Sequence, residues 1–171
     1  MGICDNKQII SFTCTYDIKD IFAYTQIINN RSGIYVNKEI ESKIKILNRG
    51  KIEKLTLTKL FGTRGINIIN FIIEGKLTNM NFMFNNCSSL KEVNFSGIET
   101  DQVTEMREMF QECNELENLD LSNFNTNKVT DMGWMFNECH KLKEIKGINN
   151  FNTNKVTNMK SMFQCCKELL Y

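Results

Sequence analysis

From residue 77 onward the apolar residues recur at helical spacings. In VTEMREMFQEC (103–113), Val103, Met106, Met109, Phe110 and Cys113 are separated by three, four and seven positions. That spacing predicts one face of a short helix lying on a core. The same five columns are apolar in four successive segments, as Leu77, Met80, Met83, Phe84, Cys87, then the segment above, then Val129, Met132, Met135, Phe136, Cys139, then Val156, Met159, Met162, Phe163, Cys166. After each of the first three cysteines the pattern changes to alternation, in LKEVNFS (90–96), LENLDLS (116–122) and LKEIKGI (142–148). Alternation predicts a short strand, with Asn94, Asp120 and Lys146 in one outward column. Strands stacked in this way would form a parallel sheet with about 4.8 Å between neighbours.

Before the repeats the alternation is stronger. IISFTCTY (9–16), KIKIL (43–47), KLTLTKLF (54–61) and INIINFII (66–73) read as strands, and Asn48-Arg49-Gly50-Lys51 as a hairpin turn. Residues 1–75 are therefore expected to form a β-rich module that caps the first coil, with an independent ligand-binding β-sandwich as the alternative.

The Met-Phe doublet gives the register. Met83-Phe84, Met109-Phe110, Met135-Phe136 and Met162-Phe163 lie 26, 26 and 27 residues apart, and NFNTNKVTDMGWMFNEC (123–139) returns as NFNTNKVTNMKSMFQCC (150–166). A period of this length predicts stacked units that cannot bury their apolar faces alone. The expected fold is an α/β repeat solenoid over 76–171, about three and a half 26-residue repeats of one short helix and one short strand. The Thr100, Thr126 and Thr153 column, beside Asn125 and Asn152, is expected to satisfy backbone groups in the connecting turns.

The sequence C-x-x-L-x-x-L-D-L-S-N-F-N-T-x-x-V-T-D-M-x-x-M-F, from Cys113 to Phe136, resembles the repeat of the BspA-like leucine-rich repeat proteins of bacterial and protist surfaces. The resemblance covers residues 77–171. It implies a leucine-rich-type solenoid used for protein binding or adhesion, with no catalytic residues to carry over. Surface members bear an export signal that is not read here, and the fourth repeat is interrupted at Tyr171. A cytoplasmic location is expected, with a cell surface reached by an unconventional route as the alternative. An open last coil would permit end-to-end self-association.

Composition narrows the partners. The 171 residues carry 21 Lys and Arg against 20 Asp and Glu, a net charge of +1, which gives nucleic-acid binding no global electrostatic support. Residues 1–75 carry +4 (11 basic, 7 acidic) and 76–171 carry −3 (10 basic, 13 acidic), a modest asymmetry between the halves. No apolar stretch reaches membrane-spanning length.

Seven cysteines and one histidine raise metal and nucleophile chemistry. Cys87, Cys113, Cys139 and Cys166 share a column, so their sulfurs should form a row, whereas a tetrahedral zinc site needs four ligands converging at about 2.3 Å. They are expected to be buried plugs. Cys165 lies in the column of Asn86, Glu112 and Glu138 and is expected to be the accessible thiol. His140 is assigned to the surface, and no second histidine exists to act as a base. The residue before each Met-Phe doublet is Phe82, Glu108, Trp134 or Ser161. Large aromatics in such a column fit an interaction hot spot.

The expected function is a non-enzymatic protein-protein interaction scaffold, with no cofactor and no metal. Its partner would be read by Trp134 and Phe82, or by the sheet-face columns Asn94, Asp120, Lys146 and Lys91, Glu117, Lys143. A cell-surface adhesin-like protein and an enzyme housed in the N-terminal module are the alternatives.

Overall fold

A computed structural model describes residues 10–28 and 36–170. The alternating segments become strands β1 (Ile10–Ile18), β3 (Ile44–Asn48), β4 (Lys51–Lys54) and β6 (Gly65–Ile73). With β7 (Leu90–Asn94) from the first repeat they form a five-stranded sheet in the order β4-β3-β6-β1-β7, every neighbouring pair antiparallel. Asn48 pairs with Lys51 across the expected hairpin, where Arg49 and Gly50 have φ of 47° and 79°. Two positive φ values in a two-residue loop match the right-handed twist of the flanking strands. KLTLTKLF is not one strand. Its start closes β4, and Thr58–Lys59 forms β5, paired with β2 (Thr25–Gln26).

The repeats do not contain the expected helices. Among the described residues the only α-helix is α1 (Lys38–Lys43), and Ile148–Asn150 makes one 3-10 turn. The α/β solenoid of leucine-rich type is thus overturned. The protein is mostly antiparallel β-sheet, continued by stacked turns.

The reason lies in the backbone. The residue before each Met-Phe doublet is left-handed, at φ of 61° (Phe82), 54° (Glu108), 56° (Trp134) and 53° (Ser161). So is the residue four later, at 58° (Asn86), 61° (Glu112), 58° (Glu138) and 63° (Cys165). A left-handed residue every four positions cannot belong to a right-handed helix. Short bonds such as Met83 N–H to Met80 C=O and Cys87 N–H to Phe84 C=O turn the chain instead. Apolar spacing of three and four fits these turns as well as it fits a helix, so periodicity could not separate the two.

The N–H groups a helix would use internally point along the stack. Those of Met80, Phe82, Phe84 and Asn86 donate to the carbonyls of Glu105, Arg107, Met109 and Gln111. The pattern repeats from the second turn to the third and from the third to the fourth, giving twelve such bonds of 2.8–3.0 Å. β8 (Asn118–Asp120) and β9 (Glu144–Lys146) pair in parallel, whereas β7 pairs with β1.

One apolar core runs through both regions. Phe71 stacks on Phe12 at 4.9 Å between ring centroids, Phe12 meets Phe84 edge-on at 6.0 Å, and Phe84, Phe110, Phe136 and Phe163 continue at 5.4, 5.7 and 5.5 Å. The last three contacts are nearly coplanar, within 14°. Identical residues one period apart are placed face to face by the stacking of the turns.

Helix α1 sits at the seam. Asn37 caps it, its Oδ1 accepting from the N–H groups of Glu39 and Ile40, while its Nδ2 donates to the carbonyls of Asn79 and Asn81 in the first turn. Glu39 accepts from the N–H groups of Thr78 and Asn79 and from the Thr78 hydroxyl.

Candidate functional site

The left-handed conformation at the Trp134 position turns the side chain onto the lateral face of the stack rather than into the core. Trp134 is half-buried. The Arg107 guanidinium, from the preceding turn, lies 4.2 Å from its ring centroid, and the Lys160 ammonium, from the following turn, lies 5.3 Å away. Each such cation–aromatic contact contributes about 0.5–1 kcal/mol at an exposed site. Arg107 is itself held by Glu108 at 3.1 Å and Asp131 at 3.9 Å. The result is a ridge of one Trp and two cations fixed by three successive turns.

Phe82 occupies the same column but not the same surroundings. It is 8% exposed and lies beside Asn37 and Glu39 at the seam with α1. The structure therefore does not bring Phe82 and Trp134 onto one open patch. Arg107 and Lys160 were missed by the sequence reading. They share the column of Asn81 and Gly133, immediately before the Trp column, and only the lateral stacking of turns reveals that neighbours 27 and 26 residues away cover the ring.

On the sheet side, the two predicted columns lie on β7, β8 and β9. Asn94, Asp120 and Lys146 are exposed, and Lys146 pairs with Asp120 at 3.0 Å. Glu117 is bracketed by Lys91 at 3.6 Å and Lys143 at 3.1 Å. Asp120 also accepts from Ser122, and this bonding with Lys146 lowers its carboxyl to about 2. Lys143 likewise holds Glu117 below the ordinary carboxylate range. Because β7 turns to β1, it forms no ladder with β8, and an open groove separates them, lined by Glu92, Val93, Asn118 and Leu119 among others. The acidity of the second repeat is largely matched by the third, with Glu115 on Lys141 at 2.8 Å beside the pairs above.

The column cysteines are free thiols packed in the core, and each of the last three donates to the Phe carbonyl one turn back, Cys113 to Phe84 at 3.1 Å, Cys139 to Phe110 and Cys166 to Phe136 at 3.0 Å. Burial pushes all four upward, Cys166 to about 11. Thiols so raised are poor nucleophiles. Cys165 is exposed. His140 is only half at the surface, and its Nδ1 is buried with no hydrogen-bond partner among the described residues. Among those residues no three His, Cys, Asp or Glu side chains converge as a metal cage requires, and no helix is long and apolar enough to cross a membrane.

No curated protein and no solved structure matches the chain. A family model described as "Mycoplasma protein of unknown function, DUF285" matches residues 64–170, which is 107 of the 171 residues and takes in β6 and all four turns. On that match, the chain belongs to the DUF285 family.

Proposed function

We propose that this protein is a non-enzymatic interaction module that captures a protein partner through the lateral ridge of Arg107, Trp134 and Lys160. The observation that carries the reading is the Trp134 ring, half-buried yet held on the outside between two cations. Trp and Arg are the side chains most enriched where interfaces concentrate their binding energy, because they bring large contact area at small ordering cost. Here the ordering has already occurred in the free protein. The sheet-face columns are a less favoured surface for this role, since their charges neutralise one another.

At a finer level, the resemblance of Cys113–Phe136 to BspA-like surface proteins supports an adhesin-like version of the same activity. A cytoplasmic location remains our reading, and protease treatment of intact source cells separates the two, since only a surface-displayed protein is cleaved.

Capture from source lysate by immobilised protein tests the function. Trp134→Ala is expected to lower recovery of the specific partner at least tenfold, with the melting temperature little changed. Equal recovery by the variant and the parent protein would contradict the reading.

A further inference from the structure

The twelve bonds along the stack all have one direction: in the four columns of the Met-Phe segment, the earlier turn donates and the later turn accepts. Peptide units aligned this way give each end a different chemistry. At the front, the first turn presents carbonyls, and Asn37 Nδ2 donates to those of Asn79 and Asn81 at 3.1 and 3.0 Å. One column runs the opposite way, Thr104 N–H to Thr78 C=O and onward to Thr157 N–H on Thr130 C=O. Its front member, the Thr78 N–H, is met by the Glu39 carboxylate at 3.2 Å. Asn37 and Glu39 thus imitate a preceding turn, an amide where donors are needed and a carboxylate where an acceptor is needed.

The fourth turn has the complementary face. The N–H groups of Met159, Ser161, Phe163 and Cys165 continue the four donating columns, and among the described residues they meet no acceptor. Met159 is 46% exposed, and Phe163 has a stacked neighbour, Phe136, on one side. We infer that this face docks a further turn of the same repeat carried by a second polypeptide, which supplies four backbone carbonyls against these amides and one N–H against the Thr157 carbonyl. The interface would continue one that the chain makes three times internally, with the same hydrogen-bond columns and the same Phe-on-Phe contact.

A second copy of this chain is a poor occupant by the same chemistry. Two fourth turns face to face oppose donors with donors, and buried donors without acceptors are costly. A fourth turn against another copy's first turn meets carbonyls already taken by Asn37. This surface lies at the end of the stack, apart from the lateral ridge, so its failure would leave the ridge reading standing.

The test is amide hydrogen exchange on the 171-residue protein, titrated with a synthetic peptide of residues 123–149 and, separately, with a scrambled version. The expected result is at least tenfold slower exchange at Met159, Ser161, Phe163 and Cys165 with the repeat peptide alone, and loss of that protection in Met159→Glu. Unchanged exchange at these amides in the parent protein would overturn the proposal, as would equal protection by the scrambled peptide. Sedimentation is expected to show the protein alone as a monomer; self-association that protects the same four amides would assign the face to a second copy and overturn it too.

Discussion

In β6 the residues facing the core are Ile69, Phe71 and Ile73, every second position, and the backbone bonds to β1 and β3 on either side. In the third turn the core residues are Met132, Met135, Phe136 and Cys139, and the backbone bonds to the turns before and after. Both regions satisfy their peptide groups with neighbours distant in sequence. They differ in how each residue is oriented. The sheet needs only extended backbone, which β-branched residues favour, while the turns need two left-handed residues per repeat, each costing about 1–2 kcal/mol when it carries a Cβ. The turns accept that cost because stacking buries a complete ring of apolar columns and forms four bonds per interface. A lateral consequence follows: left-handed positions present side chains, Trp134 among them, that a helix of the same sequence would have oriented differently.

The largest effect expected from perturbing this comparison comes at the shared core. Phe71→Ala in the sheet and Phe110→Ala in the second turn should each destabilise by about 3–5 kcal/mol. Because the Phe71, Phe12, Phe84 and Phe110 rings form one continuous row, both substitutions should lower one common denaturant transition. Two separate transitions, each moved by only one substitution, would show that sheet and stack fold independently.

A smaller effect is expected at the seam. Burial raises the Glu39 carboxyl, but Lys43, Thr78 and Asn79 bond to its ionised form and outweigh that, so its folded value lies below the ordinary one. Its stabilising contribution is therefore present above the unfolded carboxyl's value and is lost as pH falls through the folded value. Melting temperature measured downward from neutral pH should fall more gently in Glu39→Gln than in the parent protein. Parallel curves would remove Glu39 as the acid-sensitive link between α1 and the first turn.

The sequence made the columns legible but not the conformation that carries them. Alternation identified β1, β3 and β6, and the Asn48–Lys51 turn, because a period of two has no rival among regular structures. The repeat period and the five apolar columns were equally plain. The helix inference failed because spacing of three and four is shared by helices and by successive tight turns, and the left-handed positions have no common residue type: Phe82, Glu108, Trp134 and Ser161 in one column, Asn86, Glu112, Glu138 and Cys165 in the other. None is glycine, so the usual sign of positive φ was missing. Helix α1 also went unread, although Asn37 before Glu39 is an ordinary capping arrangement. At the candidate site Trp134 stood out by type, while Arg107 and Lys160 became its neighbours only once turns were stacked.

The left-handed turn is the account's central claim, and one substitution tests it by sign. Glu138 is exposed, with φ of 58°. Glycine there removes the Cβ penalty at the expense of backbone entropy, so Glu138→Gly should leave the protein more stable by about 0.5–1 kcal/mol in equilibrium denaturation. In a helix the same change would destabilise by about 1 kcal/mol. A loss of that size would contradict the stacked-turn account.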